Sequence, residues 1–211
     1  MTFHYPNGQP YLNNEVPQSK KQATRPKATT LFGKRGMSLE EELNDSNQYY
    51  RSQSMAVVYK KPTPIQIVKV DYPARSQAVI KEAYFKQAST TDYNGIYQGH
   101  YLDFEAKETK NKTAFPFRNF HQHQIEHFRA CLQQGGICFV IMKFVPLQRL
   151  FLLPASELIT RWDAQADGAR KSIPLEIVIK QGYEINYQLN PTIPYLSAVD
   201  QLIAYQVKRS N

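Results

Sequence analysis

Leu102–Lys107 reads Leu-Asp-Phe-Glu-Ala-Lys, and its strict alternation points to an extended strand. On a strand, successive side chains face opposite ways. Leu102, Phe104 and Ala106 then share a face fit for a core, and Asp103, Glu105 and Lys107 share the other. Two carboxylates and an ammonium crowded together are costly unless something is bound among them. A divalent metal beside a phosphate would meet that need. Carboxylate oxygens suit Mg²⁺, which keeps several waters and takes few protein ligands. A lysine next to such an ion can hold the charge that gathers on a phosphate under attack.

The flanking sequence builds an α/β chain around that strand. Ser38 with Glu41 forms a capping box, so a helix starts there and runs to about Tyr50 with Leu39 and Leu43 inward. Met55–Tyr59 reads as a short strand. Pro62, Pro64 and Pro73 then surround the run Ile65, Ile67, Val68 and Val70, which allows a strand or a projecting hairpin but not a helix. Lys60, Lys61, Lys69 and Arg75 make this insertion basic. Residues 78–87 suggest a short helix, and Thr90–Gly95 combines a strand end with turn residues. Gly99–Lys107 is the central strand. A helix is expected over 115–134, with Phe120, Ile125, Phe128 and Leu132 near one face and Gly135-Gly136 ending it. Residues 137–142 and 150–153 read as buried strands, 156–161 as a helix and 173–185 as a strand pair; beyond that the signals are weak.

At 211 residues the chain can bury one good core, so one domain with appendages is expected. The net charge of +8 favours a polyanionic partner. Much of it lies in the first 35 residues, where Lys20, Lys21, Arg25, Lys27, Lys34 and Arg35 face only Glu15. Rich in Asn, Gln, Pro, Ser and Thr and without apolar periodicity, residues 1–32 read as a disordered basic arm. No apolar run is long enough to span a bilayer, and no signal peptide is evident. Two cysteines, Cys131 and Cys138, fit a reducing cytosol; Cys138, in an apolar run, reads as a core thiol. His123 and His127 have an i, i+4 spacing that can bind zinc. The residue after His123 is Gln124 instead of the zincin glutamate, and no further ligand at suitable spacing is apparent, so zinc is not expected.

Several longer segments carry a resemblance. They are Arg35–Glu41, Lys60–Pro64, Lys81–Phe85, Ser89–Gly95, Phe104–Lys110 and Asn119–Gln124. Together they resemble the RecU family of Holliday junction resolvases, within the PD-(D/E)XK nuclease superfamily, over about residues 33–175. The resemblance implies a restriction-endonuclease-like α/β core, a central mixed sheet flanked by helices, with an inserted basic β stalk over 60–76. It places the nuclease domain at 33–200 and leaves 201–211 as a tail. It also implies Mg²⁺, with Mn²⁺ substituting, held by Asp92 and Glu105 and completed by Thr90 and Gln124. Lys107 is then the group that stabilises the phosphate. Asp103 is the rival carboxylate, because it shares the Glu105 face; the family pattern, which places the acid on the earlier strand, favours Asp92. Glu40, four residues after Gly36, has the spacing of a glutamate that reaches the metal in archaeal junction resolvases. It equally suits a solvated helix start favoured by the dipole.

Resemblance further implies a cytoplasmic homodimer that binds four-way junction DNA and contacts the strand-exchange recombinase and the branch-migration machinery. Arg35, Lys60, Lys61, Lys69 and Arg75 are the candidate DNA contacts. Two other readings stay open: a non-catalytic junction-binding modulator of the recombinase, and a restriction-type duplex endonuclease. Removing residues 1–32 should weaken junction binding and flatten its salt dependence. Each lost phosphate contact removes about 0.9 from the log–log slope. Binding titrations over a salt series check this, and an unchanged slope would show that the arm does not touch DNA.

Overall fold

The computed structural model of the protein describes residues 37–73, 78–86 and 90–210. The expected basic arm, Arg35, Gly36 and Arg75 lie outside these residues. Helix α1 (Leu39–Ser52) opens at the capping box: the Ser38 amide donates to Glu41 Oε2 at 2.8 Å, and the Glu41 amide donates to Ser38 Oγ at 3.3 Å. Strands β1 (Val57–Lys60), β4 (Tyr93–Tyr97), β5 (His100–Thr109), β7 (Ile137–Phe144), β8 (Arg149–Pro154) and β10 (Tyr183–Ile185) form one sheet in the order β1-β4-β5-β7-β8-β10. Only β5 and β7 run parallel, so the sheet is mixed. Their crossover carries α2 (Gln122–Gln133).

Both faces of this sheet are covered at its centre, and β7 shows how. Its side chains are buried on alternate sides: Ile137, Phe139 and Ile141 enter one core, Cys138, Val140 and Met142 the other. The first core is closed by Leu39, Leu43 and Tyr50 of α1 and by Val199 and Leu202 of α5 (Leu196–Ser210). The second is closed by Ile125 and Phe128 of α2, Leu158 of α3 (Ala155–Asp163) and Val178 of α4 (Leu175–Gln181). The central mixed sheet flanked by helices that the sequence suggested is present.

Three local expectations are corrected. The described residues of the expected helix over 78–87 do not form one. They contain β3 (Val79–Phe85), which pairs antiparallel with β2 (Ile65–Asp71) from Ile65↔Phe85 to Asp71↔Val79. The β-branched and aromatic residues Val79, Ile80, Tyr84 and Phe85 suit a strand once a partner is available. This hairpin, residues 64–86, belongs to a compact unit distinct from the one built by 34–63 and 87–211. The expected helix over 115–134 begins late. Residues 114–116 form β6 (Ala114–Pro116), paired with β9 (Ser172–Pro174), and a single 3₁₀ turn follows before α2 starts at Gln122. Phe115, Phe117 and Phe120 are all buried in the second core, and that anchoring outweighs helix continuation. The expected strand pair over 173–185 contains α4 between β9 and β10; Pro174 ends the strand and leads the helix. The weak C-terminal signal resolves into α5, whose Leu196, Val199 and Leu202 are buried.

Gly95 fixes the approach of β1 to β4. A Cβ built there would lie 2.1 Å from the Val57 carbonyl oxygen and 2.6 Å from Val58 Cα. Gly95→Ala should therefore destabilise the protein by roughly 1–3 kcal/mol, the usual cost of forcing atoms into a filled space. Denaturant unfolding checks it; an unchanged midpoint would mean that β1 moves freely.

Candidate active site

The register of β4 against β5 builds the site. Tyr93 pairs with Phe104, and Asn94 with Asp103. One step further along the same ladder, Asp92 meets Glu105: the Asp92 amide donates to Glu105 Oε2 at 3.2 Å. Glu105 is fully buried although it lies on the charged face of β5, because α2 covers that face. The Lys107 ammonium lies 2.7 Å from Glu105 Oε1 without hydrogen-bond alignment, so that buried oxygen has no hydrogen bond. Burial pushes the Glu105 carboxyl up to about 8; the neighbouring Asp92 adds to the rise and Lys107 opposes it.

The first turn of α2 lies over this end of β5. His123 stacks on His121, with ring centroids 5.5 Å apart. Its proton affinity is lowered by burial first, then by His121 and Lys107. Gln124, also buried, accepts the His121 amide on Oε1 at 3.0 Å. That bond uses one lone pair of its carbonyl oxygen and leaves the other. Half-buried Thr90 donates its hydroxyl to the Thr91 carbonyl at 3.2 Å. The structure thus brings Asp92, Glu105 and Lys107 together; Thr90 precedes Asp92 by two residues, and Gln124 lies in the first turn of α2.

The other candidates are engaged with other partners. Glu40 is exposed, and the Lys60 ammonium lies 2.5 Å from its Oε1, which engages both groups. Lys61 is not a free surface cation: its ammonium lies 3.0 Å from Asp103 Oδ2. Lys69 is exposed on the separate hairpin. Asp103 belongs to a second polar cluster with Lys61, Thr91, Tyr101 and His127. Cys131 reaches it too, with Sγ 3.5 Å from His127 Nε2, so ligand atoms of Asp103, His127 and Cys131 lie within 4.8 Å of one another. The zinc reading paired His127 with His123 and passed over Cys131. The signal was present: His127 and Cys131 are themselves spaced i, i+4 on α2.

A family profile described as Recombination protein U matches residues 34–201. The chain belongs to the RecU family. A Holliday junction resolvase RecU of Latilactobacillus sakei is 80% identical over 204 residues, covering 97% of each chain. Another, of Lacticaseibacillus casei, is 64% identical over 207 residues and covers 98% of each. Among solved structures, a Holliday junction resolvase of Archaeoglobus fulgidus aligns with 65% of this chain and 93% of its own, at 12% identity and a TM-score of 0.37; that likeness is too slight to build on. The family matches in sequence over the strands and helix turn that carry Asp92, Glu105, Lys107 and Gln124.

The donor set suits a hard divalent cation. Asp92 and Glu105 offer carboxylate oxygens, and one Glu105 oxygen is buried without a hydrogen bond. In metal-free protein the site opposes folding at high pH. The unfolded chain ionises a glutamate near 4.3, whereas folded Glu105 ionises only near about 8. Between those values the folded state keeps a proton that the unfolded state has released, so stability falls as pH rises through this window. Thermal melting in EDTA should show that decline, and Glu105→Gln should remove its share of it. Parallel melting profiles for the two proteins would contradict the raised Glu105 acid.

Proposed function

We propose that the chain is a metal-dependent endonuclease that resolves Holliday junctions by paired symmetric incisions in recombination and DNA repair. The observation that carries the reading is the meeting of Asp92, Glu105 and Lys107 on adjacent strands in a RecU family member. Asp92 and Glu105 would hold Mg²⁺ or Mn²⁺, with Thr90 and Gln124 completing the oxygen set. When bound, the ion supplies a water of lowered pKa and draws charge from the phosphate. Lys107 lies beside Glu105, on the same face of β5, and meets the charge that develops on the phosphoryl oxygens. The buried face beneath α2 keeps these charges in low dielectric, where their field acts strongly.

Two symmetric cuts across a four-way junction need two sites related by a two-fold axis, so a homodimer is the simplest arrangement. Within the unit that holds the site, Val57, Tyr59, Ile96 and Tyr101 are exposed on the β1–β4–β5 surface that α2 leaves uncovered. We assign that apolar surface to the second copy. The basic insertion, with Lys69 on its hairpin and Arg75 from the sequence, is the proposed junction-centre contact. Recombinase and branch-migration proteins are the proposed partners, and the cytoplasm the proposed location. No described helix is long and apolar enough to cross a membrane. The non-catalytic alternative is disfavoured because the three reactive groups are all present and adjacent.

A cleavage assay on a four-way junction, beside its arms as linear duplexes, tests the reading. Cutting should require Mg²⁺ or Mn²⁺ and fall on the junction alone. Glu105→Ala or Lys107→Ala should abolish it while junction binding persists, because binding rests on dispersed basic residues. Full cleavage by Glu105→Ala would remove the site assignment.

A further inference from the structure

We propose that Asp103 is a positioning residue for Asp92, and that Lys61 and Thr91 transmit its hold. The inference rests on the reading of Asp92 and Glu105 as metal ligands. Asp103 is fully buried on the same face of β5 as Glu105, two residues away. A buried carboxylate is tolerated only when charge and hydrogen bonds answer it. Here they do. Asp103 Oδ1 accepts the Thr91 hydroxyl. Asp103 Oδ2 accepts the Lys61 ammonium at 3.0 Å and the Tyr101 hydroxyl at 2.9 Å, and His127 Nε2 lies 3.1 Å from it.

Two of those partners lead straight to Asp92. Lys61 is fastened at both ends: its ammonium to Asp103 and to Thr91 Oγ1 at 3.1 Å, its backbone amide to the Asp92 carbonyl at 2.7 Å. Thr91, held by Asp103, is the residue before Asp92. The regular β4 ladder begins only at Tyr93, so Asp92 lies just outside it. The Asp103 cluster takes over where the ladder stops. It fixes the residue before Asp92 and the carbonyl after its Cα, while the Asp92 amide is fixed by Glu105.

The same cluster could be taken for a metal site, since Asp103, His127 and Cys131 converge. Lys61 argues against that. Its ammonium already lies 3.0 Å from the oxygen that a metal would share, and a second cation there would be repelled. Lys61 is thereby a positioning residue instead of a phosphate contact.

Mn²⁺ binding to DNA-free protein, read by electron paramagnetic resonance, is the primary measurement. Asp103→Asn and Lys61→Met should each weaken it about 10- to 100-fold, as removal of a ligand's supporting group does. The double variant should be no weaker than the worse single one, because both act through one network. In junction cleavage the half-saturating Mn²⁺ concentration should rise by the same factor, with the rate at saturating metal largely kept. Junction binding in EDTA should stay unchanged. If Asp103→Asn fails to fold, the near-isosteric Thr91→Val carries the same test. Unchanged Mn²⁺ affinity in Asp103→Asn or Thr91→Val overturns the proposal. So does a loss of junction affinity in EDTA for Lys61→Met alone, which would make Lys61 a DNA contact. Stoichiometric zinc in the wild type that is lost in Cys131→Ser overturns it as well. Asp92→Asn separates the two levels: if it keeps full Mn²⁺ binding, the ligand assignment itself fails.

Discussion

Three stacked rings hold the site in register. Tyr93, Phe104 and Phe139 lie on adjacent strands β4, β5 and β7, with centroids 4.8 and 4.7 Å apart and planes within 5° and 10° of parallel. Tyr195 tilts over two of them from the segment before α5. The rings pair across the ladder as Tyr93↔Phe104↔Phe139. A slip of one residue would send every side chain to the wrong face. With the rings locked in the first core, Asp92 meets Glu105 on the opposite face by necessity. The reactive geometry is thus the reverse side of an aromatic core.

That reverse side gives two carboxylates of one strand different fates. Asp103 and Glu105 are both buried, two residues apart. Asp103 is answered by Lys61, Thr91, Tyr101 and His127. Glu105 is left with one amide on Oε2 and one unaligned ammonium beside Oε1. The compensated acid reads as structure, and the under-compensated one as a site prepared for an external cation. The raised Glu105 acid is the thermodynamic trace of that shortage.

The C-terminal segment matters more than its sequence signals suggest. Tyr50 of α1 donates its hydroxyl to the Ile193 carbonyl at 3.2 Å, and Tyr195 donates to Asn47 Oδ1 at 2.6 Å. These bonds fasten α1 to the segment that leads into the last helix, over the first core. Removal of the final helix would take Leu196, Val199 and Leu202 out of the first core and leave its aromatic stack uncovered on that side.

Much of this was legible in the chain. Alternation over Leu102–Lys107 set the two faces of β5, and Ser38 with Glu41 set the start of α1, because both depend on neighbours a few residues apart. Glu105 and Lys107 follow from the same short range, whereas Asp92 follows from the resemblance to the RecU family. Segment 78–87 was misread because its strand character depends on β2, which supplies the hydrogen bonds. The late start of α2 was missed because buried phenylalanines, not local propensity, decide it. Sequence also could not tell Asp103 from Asp92 by environment, or Lys61 from a surface lysine. Local pattern determined which side chains share a face. Only the tertiary structure decided which charges are answered, since Lys61 and His127 reach Asp103 from distant positions and charge compensation depends on distance in space, not along the chain.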